Sequence, residues 1–264
     1  MRPAVVTRRA LTVLLALLVV AMLLASSGCA APGDTVLSDG DNGTGAGAPD
    51  GTAAEAPAEG SDAVATTDGV DPARHLLVLG RSVMTGWVDH WGGSASEPAE
   101  WEGRTVTFRE IEGPPGIAAS ASAAIADAPV GSVVLFKYCF VDFNGGDYAA
   151  ELDAYTRDLE AVADAAAGRG VTLVLGTALP RVRAETTPEL VAEHRAFAER
   201  VEALATDRIA DGESVLVLDL NAVLAAADGS LESRYAVSRD DSHLTGAAYD
   251  ALDEALLAVL PPID

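Results

Sequence analysis

The chain has 264 residues, 49% of them hydrophobic, with 17 basic residues against 40 acidic ones and a formal net charge of -23. That length fits one domain with extensions, and the apolar share is enough for a sizeable core. The acidity excludes a nucleic-acid footprint and docking on anionic lipid through a basic surface, and two cysteines, Cys29 and Cys139, exclude a disulfide-rich scaffold.

Residues 1–28 have the order of a secretory signal. Arg2, Arg8 and Arg9 open it, an apolar run from Ala10 to Ala25 follows, and Ser26, Ser27 and Gly28 lead to Cys29. The apolar run is short for a bilayer span. A cysteine directly after small residues resembles a bacterial lipobox, with Leu24 and Ala25 one place upstream of the usual positions. The expectation is export, cleavage before Cys29 and diacylation of that thiol; plain secretion and a retained N-terminal anchor are the alternatives. Residues 30–73 hold nine acids and no Lys or Arg among mostly Gly, Ala, Pro and Asp. Such a segment cannot recover its ordering entropy by burial. Residues 29–73 are therefore expected to be a lipidated cysteine and a self-repelling, disordered tether on a folded domain over 74–264.

The remaining chain alternates two periodicities. His75–Leu79, ending at Gly80, is a short apolar run. Thr105–Phe108 is a weaker one, and Ser132–Phe136, Val171–Leu175 and Ser214–Leu218 are strong. Near-continuous apolar runs of this length are the pattern of parallel strands covered on both faces. Helical stretches fall between them: the alanine-rich Ile117–Ala128; Asp147–Ala167, with Leu152, Tyr155, Leu159 and Val162 three or four apart; Pro188–Ile209, with Thr187 as N-cap; and Gly246–Leu260 before Pro261 and Pro262. The rhythm predicts a three-layer α/β/α domain with a five-stranded, mainly parallel sheet of flavodoxin-like type. Ligands belong at the C-terminal ends of its strands.

Candidate chemistry lies at those ends. Ser82 follows the first strand by two residues, where it serves either as a plain cap of the next helix or as an exposed nucleophile. His243, in Asp240-Asp241-Ser242-His243, precedes the last helix. Asp240, three residues earlier, can return through a turn to one imidazole nitrogen and leave the other free as a base. The alternative is local loop structure with Asp241 or Ser242 capping the helix. Lys137, the only lysine in the chain, ends the third strand. It either meets a developing oxyanion or pairs structurally with Asp142. Cys139 sits in apolar surroundings that favour a buried, inert thiol. His75, His90 and His194 have no metal-ligand spacing, and Asp89, Asp142 and Asp147 form no specific set, so neither a metal nor a cofactor is expected. Trp87, Trp91 and Trp101 belong either to the core or to an apolar rim.

Gly80-Arg81-Ser82 near the start and Asp240-Asp241-Ser242-His243 near the end, in a five-strand α/β frame, resemble the SGNH or GDSL-like hydrolase superfamily over about residues 74–259. Arg81 stands where that family has Asp. Lys137-Tyr138-Cys139-Phe140-Val141-Asp142 stands where it has Gly-x-Asn-Asp. The resemblance implies an ester hydrolase with Ser82 as nucleophile, His243 as base and Asp240 as its partner. The substrate implied is a small-molecule ester or an O-acetylated glycan. The oxyanion would be held by the Ser82 backbone N–H and Lys137, with Gly113 or Gly116 as the glycine of the second motif. The rival expectation is a non-catalytic surface lipoprotein using the same scaffold to bind a glycan or a protein partner.

Overall fold

β1 (His75–Gly80) pairs in parallel with β3 (Arg104–Glu110) on one side and β4 (Val133–Phe136) on the other, and β5 (Thr172–Gly176) and β6 (Val215–Leu218) extend the sheet in the same direction. These are the five expected strands, in a computed structural model that describes residues 71–263. The expected signal segment, Cys29 and the tether as far as residue 70 lie outside the described residues. A sixth strand, β2 (Ala99–Trp101), joins antiparallel at the edge beside β3, giving the order β2-β3-β1-β4-β5-β6. Its three residues, bounded by Pro98 and a turn at Glu102-Gly103, are too few to carry a periodic signal. The five parallel strands alone have the doubly wound order of a flavodoxin-like sheet.

Two apolar layers cover the sheet because residues alternate along each strand. Leu76, Val78, Val133, Leu135 and Val174 point to one face and pack with α1 (Ser82–His90), α5 (Leu220–Leu224) and α6 (Gly246–Val259). Leu77, Leu79, Val134, Phe136, Leu173 and Leu175 point to the other, against α2 (Ile117–Ala126), α3 (Tyr148–Arg169) and α4 (Pro188–Ala210). The helix starts are encoded locally. Thr187 Oγ1 accepts from Leu190 N–H at 3.2 Å with Pro188 in the first turn. α3 ends at Gly170 in the left-handed conformation, which glycine adopts without steric cost.

A 3-10 turn over Pro72–Arg74 precedes β1, with Asp71 Oδ1 accepting from Ala73 N–H at 3.0 Å. The tryptophans form one cluster behind α1. Trp87 and Trp91 donate their indole N–H groups to Asp253 Oδ1 of α6 at 2.6 and 2.9 Å, and Trp91 stacks on Trp101 at 4.7 Å. They are core and core margin rather than a cleft rim. Among the described residues no helix is long and apolar enough to cross a membrane.

Candidate active site

The registers Gly80↔Glu110, Leu79↔Phe136, Phe136↔Leu175 and Gly176↔Leu218 bring all five parallel strands to one edge together. Ser82 leaves that edge as the first residue of α1, next to the positive end of the helix. The Arg81 carbonyl accepts from Met84 and Thr85 N–H at 2.7 and 3.1 Å and closes the first turn. Ser82 N–H, at the first helical position, has no acceptor within the helix.

The histidine arrives from a separate ribbon. β7 (Ala236–Ser238) and β8 (Asp241–Leu244) pair antiparallel, and His243 sits inside β8 rather than in a loop. Residues two apart in a strand share a face. Asp241 and His243 therefore point together to the outside, while Ser242 points inward and is buried. Ser242 Oγ accepts from Val182 N–H and donates to Glu185 Oε2, both at 2.9 Å, which pins the ribbon to the segment after β5. His243 Nε2 lies 3.2 Å from Ser82 Oγ, and His243 Nδ1 lies 2.6 Å from Asp241 Oδ1. The same oxygen accepts His243 N–H at 2.9 Å. These two bonds hold the Asp241 carboxyl below its ordinary pKa, the backbone bond contributing most. Phe140, from the turn after β4, meets the His243 ring edge-on at 5.4 Å and supports it from the side.

The structure brings Ser82 to His243 and places Asp241, not the expected Asp240, at the imidazole. Asp240 is in the ribbon's turn, exposed, and accepts from Arg239 Nε at 3.0 Å. Strand alternation, not a returning turn, selects the partner, and it selects Asp241. The signal was present in Asp241-Ser242-His243-Leu244, whose alternation reads as a short strand. Neither Asp241 nor Ser242 caps the last helix; Thr245 holds that position.

Lys137 is also displaced from its expected role. Alternation places it on the face of Val133 and Leu135, where it is 3% exposed and its ammonium donates to the Tyr138 carbonyl at 2.9 Å. Burial pushes its pKa down to about 8. It neither faces an oxyanion nor pairs with Asp142. That carboxylate belongs to Arg81: Arg81 Nη2 donates to both Asp142 oxygens. Asp142 Oδ2 also accepts Cys139 N–H at 2.8 Å, and its carbonyl accepts Tyr155 OH at 2.6 Å. Burial disfavours the Arg81 charge, but the bond and charge of Asp142 outweigh it and hold the guanidinium above its ordinary pKa. In the sequence Arg81 stands out only as a departure from the family motif. Its complementarity with Asp142, 61 positions away, carries no local signal.

Of the two candidate glycines, Gly113 is the one at the edge beside Arg81, and Gly116 caps α2. Cys139 is a buried free thiol. His75 bonds Thr107 Oγ1 at 3.1 Å, His90 pairs with Asp250 at 3.2 Å, and His194 is buried with its pKa pushed down to about 4. Among the described residues no group of three His, Cys, Asp or Glu side chains is arranged to hold a metal.

No family model matches the chain, and no curated protein matches it. Solved structures do. A protein named as an acylhydrolase from Bacteroides fragilis aligns with a TM-score of 0.52 at 15% identity, over 70% of this chain and 85% of its own. A GDSL-like lipase from Bacteroides thetaiotaomicron aligns with a TM-score of 0.50 at 15% identity, over 72% and 89%. The chain shares the three-layer α/β/α fold of these two structures. At this identity the likeness carries the fold alone, and residue roles rest on the geometry above.

Two outcomes check the corrected placements. Long-range proton–nitrogen NMR of the His243 ring should show a changed tautomer balance in Asp241→Asn and an unchanged one in Asp240→Asn. For Lys137, the folded chain releases the proton at about pH 8 and the unfolded chain near 10.5. The unfolded state binds more protons between those values, so stability relative to Lys137→Met should rise as pH rises through that window and be level below it. Urea unfolding at stepped pH measures this, and a level difference throughout would put the ammonium in solvent.

Proposed function

We propose that this domain is a serine esterase that removes short acyl groups, O-acetyl above all, from a glycan. The observation that carries the reading is the single line of contacts from Ser82 Oγ through His243 to Asp241, at 3.2 and 2.6 Å. Ser82 Oγ attacks the ester carbonyl as His243 Nε2 takes its proton. Asp241 fixes the tautomer in which Nδ1 carries hydrogen and stabilises the imidazolium that forms. The oxyanion is received by Ser82 N–H at the start of α1, where the helix end is positive. His243 returns its proton to the leaving alcohol, and a water activated by the same nitrogen then clears the acyl-enzyme.

The substrate class rests on exposure. The side chains of His243 and Asp241 are 47% and 42% exposed. A triad set this openly is accessible to an ester carried on a large, hydrated molecule, and it offers little apolar cover for a long acyl chain. The GDSL-like fold is compatible with the reading. The rival, a binding protein on the same scaffold, draws on the absent Gly-x-Asn-Asp motif, but the aligned triad has no use in it.

Export and attachment to a membrane through diacylated Cys29 complete the proposal, and they rest on the signal-like order of residues 1–28 alone. Intact mass of the mature protein should correspond to residues 29–264 plus the acyl mass; a chain still starting at Met1 would contradict processing. For the activity, a panel of acetyl, butyryl and long-chain esters with acetylated glycans should show turnover that falls with chain length. Ser82→Ala should lower kcat at least about a thousandfold. Absence of turnover across the panel, in a folded protein, would favour the binding reading.

A further inference from the structure

We propose that Arg81 is a catalytic residue: its guanidinium donates to the tetrahedral oxyanion, in the place the superfamily gives to the missing Asn. The inference rests on the esterase reading and adds to it a donor that no motif identifies.

The first observation is how the guanidinium is held. A purely structural Arg–carboxylate pair commonly aligns two nitrogens with two oxygens. Here one nitrogen, Nη2, spans both oxygens of Asp142. Nη1 and Nε have no acceptor among the described residues, so up to three N–H donors are uncommitted. The second observation is where those donors lie. A Cβ on Gly113 would stand 2.7 Å from Arg81 Nη1, so the guanidinium rests against the bare backbone of Gly113, in the segment that leaves β3. It therefore bridges the β3 and β4 exits, immediately beside the β1 exit that carries Ser82. The third is access with rigidity. The Arg81 side chain is 25% exposed while Asp142 is 6% exposed. Asp142 is anchored on its other sides by Cys139 N–H and Tyr155 OH. The cation is open to the edge and its mount is not.

These features match what an oxyanion requires: a fixed positive donor that needs no reorganisation when charge develops. As the Ser82 Oγ–carbon bond forms, the carbonyl π pair moves onto oxygen, and that oxygen accepts from Ser82 N–H and from Arg81. When the pair returns, the bond to the leaving alcohol breaks and His243 supplies its proton. Arg81 donates hydrogen bonds throughout and transfers no proton. Lys137 cannot serve, because its ammonium is buried on the Tyr138 carbonyl.

The test uses the full domain, an acetyl ester, a fluorophosphonate that labels Ser82, and a boronic acid whose Ser82 adduct carries the negative tetrahedral charge. Arg81→Met should lower kcat about a hundred- to a thousandfold with KM changed only a few-fold, and boronate affinity should fall in step with kcat. Arg81→Lys, which keeps one charge but has no second nitrogen to reach beyond Asp142, should fall at least about tenfold and serves if the Met variant does not fold. A folded Arg81→Met with near-wild-type kcat overturns the proposal. So does a loss of kcat with unchanged boronate affinity, since Arg81 would then only position the turn. Wild type that neither takes the fluorophosphonate nor hydrolyses any ester overturns the esterase reading, and this inference with it.

Discussion

Burial of both faces of one parallel sheet is the constraint on which the rest of this molecule depends. Every residue of β4, Val133 to Phe136, is covered, so the strand cannot present chemistry along its length. Chemistry is confined to the strand ends, and parallel pairing brings those ends to one edge. Ser82 follows β1, Gly113 follows β3, and Phe140 and Asp142 follow β4, each by a few residues, so they meet there. The same alternation carries past the end of β4 and turns Lys137 inward, onto the face of Val133 and Leu135.

The ribbon of β7 and β8 solves a separate problem. A histidine attached to the last helix alone would share that helix's small motions. Instead Ser242, pointing inward, ties the ribbon to Val182 and Glu185 while Asp241 and His243 point outward. Phe140 then stands against the imidazole, with Arg181 over its ring at 5.9 Å. The imidazole is held by its carboxylate and by an aromatic edge, and among the described residues the nitrogen toward Ser82 has no other partner.

Much of this was legible in the sequence, for identifiable reasons. The five parallel strands are continuous apolar runs, and the long helices carry three- and four-residue spacing with Thr187 and Gly170 at their ends. His243 stands out in the sequence because a histidine before a helix is hard to assign to a core, whereas Ser82 fits a plain helix cap equally well, and their 3.2 Å contact comes from the fold. Asp241 carries only a weak signal, because β8 is four residues long, too short for a clear strand period, and a turn is then the natural route from Asp240 to the imidazole. β2, at three residues, carries no strand period either. The Arg81–Asp142 pair joins positions 61 apart, and only the fold can bring them together.

The placement of the tryptophans has an optical consequence. All three indoles of the 264-residue chain lie in one cluster, with Trp87 on the helix that begins at Ser82, Trp91 just past its end, and both bonded to Asp253 of the last helix. Ring centroids 5.2 and 4.7 Å apart are close enough for their transitions to couple. The domain's tryptophan emission and near-ultraviolet dichroism therefore report on a single seam, between the helix that carries the serine and the helix that follows the histidine.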